Sequence, residues 1–304
     1  MKSVGVGRCA SVVGVAPTAQ RLRASRLMPN TQARIARGVQ VARASTAGDL
    51  PTLLLFDCDG VLVETERDGH RIAFNEAFVQ KGLPEDLVWD VDLYGELLAV
   101  GGGKERMKHD FSNRIAGGDE KMAAFVEGAG GLDAVAKDLH ALKTQIMMDM
   151  VEANMMPPRP GIRDLIGAAA KAGVRMAICS TSNEKAVRAV LKSVLDAGEP
   201  LGVDIDDIPI YAGDMVPRKK PDPAVYELAA KEMLGEDSWK EQTQNCVVIE
   251  DSKIGAAAAK AAGMKCMVTL SIYTESEKDE IEDLNVDKIF GSAAEFSLDQ
   301  LMKI

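Results

Sequence analysis

Five short apolar runs constrain the fold of this chain more than any other feature: TLLLF (52–56), VRMAIC (174–179), IPIYA (208–212), CVVIE (246–250) and KCMVT (265–269). Continuous runs of this length, without regular polar alternation, suit strands buried on both faces. Helical patterns fill the intervals at 162–172, 184–195, 222–234 and 253–262. Their ends carry capping chemistry: Ser182 and Asn183 precede the second, Asp222-Pro223 opens the third, and Gly263 closes the fourth. Strand and helix in alternation predict an α/β fold, a doubly wound, mostly parallel, Rossmann-like sheet with helices on both faces. The interval between the first two runs breaks that rhythm. It holds no clear strand run but three helical stretches, 66–80 with His70, Phe74, Ala77 and Phe78 on one stripe, 104–115 and 132–154, and MMPPRPG (155–161) marks the return. The expected layout is an α/β core over 49–65 and 159–304, with a helical cap, 66–158, inserted after the first strand.

At 304 residues and 32.5 kDa the chain is long enough for one large domain or two modest ones. No stretch approaches the ~18 to 20 apolar residues of a membrane helix, so no membrane role is expected. The net charge of −10 is unevenly spread. Residues 1–48 contain no acid but carry Lys2 and seven arginines, which leaves 28 bases against all 46 acids in the remainder, a charge of −18. An acid-free, Arg-rich and Ser/Ala-rich leader has the composition of an organelle transit peptide. A body this acidic offers no broad basic face for nucleic acid. Five cysteines form no CxxC pair and sit mostly in apolar runs, which favours a structural role, and the three histidines show no metal-ligand spacing.

In open α/β sheets, ligands bind outside the carboxyl ends of the strands, and four of the runs end in chemistry. The first delivers Asp57-Cys58-Asp59-Gly60, two carboxylates whose mutual repulsion calls for a cation such as Mg²⁺. The second delivers Ser180, Thr181, Ser182 and Asn183 at a helix start, a place for a phosphate or simply an N-cap. After the third come Lys219, Lys220 and Pro221, and the fourth ends in Glu250 and Asp251. Acids, a hydroxyl and a lysine converging on one sheet edge make a site for a magnesium-bound phosphate. In the cap, Gly101-Gly102-Gly103-Lys104-Glu105-Arg106 offers two cations and close backbone approach for a second anionic group, although Glu105 stands where a Walker A loop requires Ser or Thr.

Asp57-x-Asp59-Gly60, Ser180, Lys220-Pro221 and Glu250-Asp251, in that order, resemble the four motifs of the haloacid-dehalogenase superfamily over essentially all of 52–290. DCDGVLVETE, CSTSNEKAV, AGDMVPRKKPDP and EDSKIGAAAAKAAGM are similar more narrowly to the CbbY-type phosphatases of photosynthetic organisms. The resemblance implies a Mg²⁺-dependent phosphatase of xylulose 1,5-bisphosphate, an inhibitor of Rubisco, located in the chloroplast stroma and monomeric. It makes Asp57 the nucleophile, Asp59 the general acid and base, Ser180 a phosphate donor and Lys220 the charge-neutralising cation. Metal ligation falls to Asp57, the main-chain carbonyl of Asp59, and Asp251, with Glu250 a ligand or an outer acceptor. It adds Glu66 as a sugar contact and Lys143 as a cap lysine, and brings His70 near a cap histidine of related phosphosugar mutases, one residue out of step, which favours packing for His70. A β-phosphoglucomutase-like mutase and a non-catalytic phosphosugar-binding protein are the alternatives.

Overall fold

The computed structural model describes residues 50–291 and 297–301, which belong to one unit, Ala44–Ile304. The expected transit peptide, 1–48, lies outside the described residues.

Strand β1 (Leu53–Phe56) shows why an unbroken apolar run is needed. Leu54 and Phe56 point into one hydrophobic cluster, while Leu53 and Leu55 point into another on the opposite face of the sheet. The same division holds for β2 (Arg175–Cys179) and β4 (Cys246–Glu250): Met176, Ile178, Val247 and Ile249 enter the first cluster, and Ala177, Cys179, Cys246 and Val248 the second. With β3 (Ile210–Tyr211), β5 (Lys265–Thr269) and β6 (Lys288–Phe290) these form a six-stranded sheet of order β3-β2-β1-β4-β5-β6. Every pairing is parallel. Helices α6 (Ile162–Ala172) and α7 (Glu184–Asp196) cover the first face through Leu165, Ile166, Val187 and Leu191. Helices α8 (Ala224–Leu234) and α9 (Lys253–Ala261) cover the other with Tyr226, Ala229, Ala256 and Ala259. Short helices α10 (Lys278–Glu282) and α11 (Leu298–Leu301) follow later in the chain. The four described cysteines are free and buried, as their apolar settings imply.

The insertion after β1 is entirely helical. A π-helical turn, Thr65–His70, runs into α1 (Arg71–Gln80), followed by α2 (Val91–Leu97), α3 (Gly103–Ala116), α4 (Glu120–Gly128) and α5 (Leu132–Glu152). Of these, α2 and α4 are additional to the three helical stretches expected. The insertion has its own apolar cluster, in which Phe74, Phe78, Trp89, Tyr94, Met107 and Phe111 are fully buried. Trp89 anchors it edge-on to Phe78, ring centroids 5.0 Å apart, and donates to Asp110 at 2.8 Å.

Both crossings between core and insertion run side by side. Val63 forms an antiparallel bridge with Pro158, and the Arg159 amide donates to the Leu62 carbonyl at 2.9 Å. The buried Arg159 guanidinium ties the crossing to the sheet through the Gly60 carbonyl (2.5 Å), Thr269 Oγ1 (2.9 Å), the Leu270 carbonyl (3.0 Å) and the Glu64 carboxylate (3.1 Å). No helix among the described residues is long and apolar enough to cross a membrane.

Candidate active site

Strands β1, β2 and β4 lie side by side, so their carboxyl ends bring Asp57, Ser180 and Glu250 to one edge. Lys220 completes the group from the loop between β3 and α8. Its Nζ donates to Asp57 Oδ1 at 2.5 Å, Glu250 Oε1 at 2.6 Å and the Cys179 carbonyl at 2.9 Å. The peptide bond between Lys220 and Pro221 is cis. The buried Tyr226, in the first turn of α8, donates to the same Glu250 Oε1, and Lys220 Nζ lies 4.9 Å from the centre of its ring. Burial opposes the ammonium charge, but Asp57 and Glu250 outweigh it and keep Lys220 protonated well above the ordinary lysine range. Asp57 is pushed the other way: burial, reinforced by Glu250 and Asp59 and opposed by Lys220, raises its carboxyl to about 7. Burial, with Asp57 and Glu250 nearby, also raises Asp251.

Carboxylate oxygens of Asp57, Glu250 and Asp251 lie within 4.8 Å of one another. Three clustered acids, of which only Asp57 and Glu250 are bonded to Lys220, concentrate negative charge in a dry place, and an all-oxygen donor set of this kind suits a hard divalent cation such as Mg²⁺. The backbone is shaped for it. Gly60, at φ +86°, sits so close to Asp251 that a Cβ would fall 2.0 Å from Oδ2, and a Cβ on Gly255 would lie 1.9 to 2.1 Å from the Glu250 carboxylate.

Asp59 stands apart from that acidic set. Its Oδ2 accepts from Ser182 Oγ at 2.8 Å and Ser180 Oγ at 3.4 Å, while the Ser182 amide donates back to Ser180 Oγ at 3.0 Å. Thr181 lies between them, half-buried. Asn183, expected at the substrate, is the N-cap of α7, its Oδ1 accepting from the Ala186 amide at 3.1 Å. Its acceptor is thus spent on the helix.

In the insertion the expected residues fall into two groups. Tyr94 donates to Glu66 Oε2 at 2.6 Å and accepts from Arg106 at 2.9 Å. Arg106 is buried, with its Nε on the Leu97 carbonyl at 3.0 Å and its guanidinium 5.1 Å from the centre of the Tyr94 ring. Lys143, also buried, lies 2.8 Å from His70 Nδ1 and 4.7 Å from the centre of the Phe74 ring. Burial, helped by Arg106 and opposed by Glu66, lowers Lys143 to about 8; burial and then Lys143 lower His70 to about 3. Packing is therefore an incomplete account of His70, whose Nδ1 pairs with the Lys143 ammonium. Gly102 (φ +90°), Gly103 and Lys104 form the start of α3, where Gly103 abuts Phe74 and His140 and Lys104 is exposed. The two cations of the glycine segment thus part company: Arg106 is inside the cluster and Lys104 on the surface. Tyr94, Tyr226 and Arg159 have no motif to announce them, because each partner is distant in sequence.

Residues 51–263 match the family described as haloacid dehalogenase-like hydrolase. The chain belongs to that family. It is 50% identical to the CBBY-like protein of Arabidopsis thaliana over 253 residues, 83% of this chain and 72% of that one. It is 37% identical to protein CbbY of Cereibacter sphaeroides over 244 residues, 80% of this chain and 92% of the relative. Among solved structures it resembles a mutant of CbbY from Rhodobacter sphaeroides in complex with xylulose-(1,5)bisphosphate, with a TM-score of 0.54, 35% identity and coverage of 79% of this chain and 94% of that one. The chain is thus a CbbY-like haloacid dehalogenase-like hydrolase.

Proposed function

We propose that this hydrolase is a Mg²⁺-dependent sugar-bisphosphate phosphatase acting on xylulose 1,5-bisphosphate through a phosphoaspartate. The observation that carries the reading is the presence of two separate sets of cations, Lys220 beside Asp57 in the core and Arg106 and Lys143 in the insertion. A substrate with a phosphate at each end uses both. The ligand in the related CbbY complex supports the same chemistry.

Asp57 attacks phosphorus in line, and the bond from phosphorus to the sugar oxygen breaks as Asp59 protonates that oxygen. Asp59 then takes a proton from the water that attacks the aspartyl phosphate, which frees Asp57 and releases inorganic phosphate. Ser182 and Ser180 hold the Asp59 carboxylate meanwhile. Ser180 and Thr181 face the phosphoryl group, and Lys220 balances its charge. Asp57, Asp251 and the Asp59 carbonyl would hold Mg²⁺, with Glu250 completing the acidic set while it anchors Lys220. The ion, when bound, lowers the repulsion between the carboxylates and the incoming phosphate. Glu66 contacts the sugar, Arg106 and Lys143 take the distal phosphate, and Gly102, Gly103 and Lys104 border it.

The test is a phosphate-release screen of the chain lacking residues 1–48 against sugar mono- and bisphosphates, with and without Mg²⁺. Stoichiometric, Mg²⁺-dependent release with xylulose 1,5-bisphosphate preferred is expected, and an isomerised sugar phosphate without net release overturns the reading in favour of a mutase. We further propose import into the chloroplast stroma, on the acid-free leader and the plant relative; a fluorescent fusion of residues 1–48 that stays in the cytosol of leaf cells would sink it.

A further inference from the structure

Tyr273 belongs to the core, in the loop after β5, yet its ring packs against the apolar cluster of the insertion. The loop is held rigidly: Ser271 Oγ accepts from the amides of Tyr273 and Thr274, each at 3.2 Å, and the Ser271 amide donates to Thr274 Oγ1 at 2.9 Å. From this fixed base the Tyr273 ring meets Tyr94 with centroids 5.9 Å apart and planes inclined by 58°. It lies directly over Gly95, where a Cβ would fall 3.2 Å from two ring carbons. Gly95 sits inside α2 at an ordinary helical φ, a position where glycine weakens a helix and nothing in the backbone requires it. The notch it leaves is filled by the ring. The Tyr273 hydroxyl is buried and has no hydrogen-bond partner among the described residues, so the contact with Tyr94 and Gly95 is made by the ring.

We propose that Tyr273 is a positioning residue, a core aromatic seated in the Gly95 notch that fixes Tyr94 between Glu66 and Arg106 and so sets the distal half of the substrate site. The inference rests on the sugar-bisphosphate reading for its kinetic consequence but not for its structural one. Tyr273 touches neither phosphorus nor the acids that act on it, so its effect falls on the affinity of substrates that reach the insertion.

The experiment compares wild type, Tyr273→Phe, Tyr273→Ala and Gly95→Ala by steady-state kinetics on xylulose 1,5-bisphosphate and on p-nitrophenyl phosphate, with hydrogen exchange at α2. For Tyr273→Ala, KM for the bisphosphate is expected to rise on the order of tenfold while kcat changes little, because an aromatic contact and one oriented hydrogen bond are lost. Its kcat/KM for the aryl phosphate should stay within about twofold of wild type, and α2 amides should exchange faster. Tyr273→Phe keeps the ring and should behave as wild type in all three measurements. Gly95→Ala pushes on the contact from the other side and should reproduce the KM rise in weaker form. An unchanged bisphosphate KM in Tyr273→Ala, an equal loss on both substrates, or a Tyr273→Phe as impaired as Tyr273→Ala overturns the proposal. If wild type shows no preference for a sugar bisphosphate, the functional reading fails alone, and unchanged α2 exchange in Tyr273→Ala then decides against the seat itself.

Discussion

At the scale of residues, burial moves two groups of the site away from their ordinary titration, Asp57 up to about 7 and Lys143 down to about 8. Asp57→Asn should abolish turnover, since an amide cannot form the acyl phosphate; retained phosphate release would remove Asp57 from its role. The same substitution reports on electrostatics. An acid raised from 3.8 to about 7 contributes stability that is fully present below its unfolded pKa and lost as pH rises through the folded one. In metal-free melts the Tm advantage of Asp57→Asn over wild type should therefore widen from pH 5 to pH 8. Lys143 carries the opposite sign: lowered from 10.5 to about 8, its burial cost is present below pH 8 and relieved as pH rises toward 10.5, where the charge is gone. KM for the bisphosphate should be flat to about pH 7 and climb through pH 8. Lys143→Met should show a raised KM, roughly 10- to 100-fold from one lost charge-assisted contact, with no such climb. Asp57, Asp59, Glu250 and Asp251 are legible in sequence because they end or directly follow apolar runs, and Lys220 because it stands before a proline in the loop after the third run. Tyr94, Tyr226 and Tyr273 are not, because a tyrosine acquires its meaning only from what the fold lays against it.

At the scale of elements, what sequence shows depends on how many faces are buried. Strands β1, β2, β4 and β5 lie inside the sheet and announce themselves as continuous apolar runs. Edge strand β6 has three residues, of which only Phe290 is buried, and gives no such signal. Helix α2 is short and contains Gly95, so its pattern is faint, although its cap, Asp90 accepting from the Leu93 amide, is orthodox. Packing at the site is tightest where α9 begins behind β4. Gly255→Ala sets a methyl against a Glu250 carboxylate that is only 1% exposed and held by Lys220 and Tyr226. A destabilisation of about 1–3 kcal/mol is expected from overpacking, read by urea unfolding, together with a fall in kcat. Wild-type stability with wild-type kcat would mean that α9 can slide, against the geometry described.

At the scale of the whole molecule, an ion held by the acidic set would stabilise the folded chain by mass action. Mg²⁺ at 100 times its dissociation constant should stabilise the folded chain by about 2.7 kcal/mol. For a chain of this size that corresponds to a rise in Tm of roughly 5–10 °C, reversed by chelator. The gain should be larger at pH 7.5 than at pH 5, where Asp57 is still protonated, and a pH-independent gain would argue against a site built on that carboxylate.

The adjacent crossings at Val63 and Pro158 carry one more consequence, in the language of chain entropy. Because the two ends of the insertion already touch, removing 66–157 and joining the ends with a few glycines closes a very short loop, and loop-closure cost grows only by about 0.6 kcal/mol for each doubling of length. The sheet therefore has little thermodynamic stake in how long the insertion is. Arg159, bonded to Gly60, Glu64, Thr269 and Leu270, holds the seam from the sheet side. On the proposed reading, an insertion of quite different size grafted at that seam should leave Asp57 in place, which would make substrate range an exchangeable part and the chemistry a fixed one.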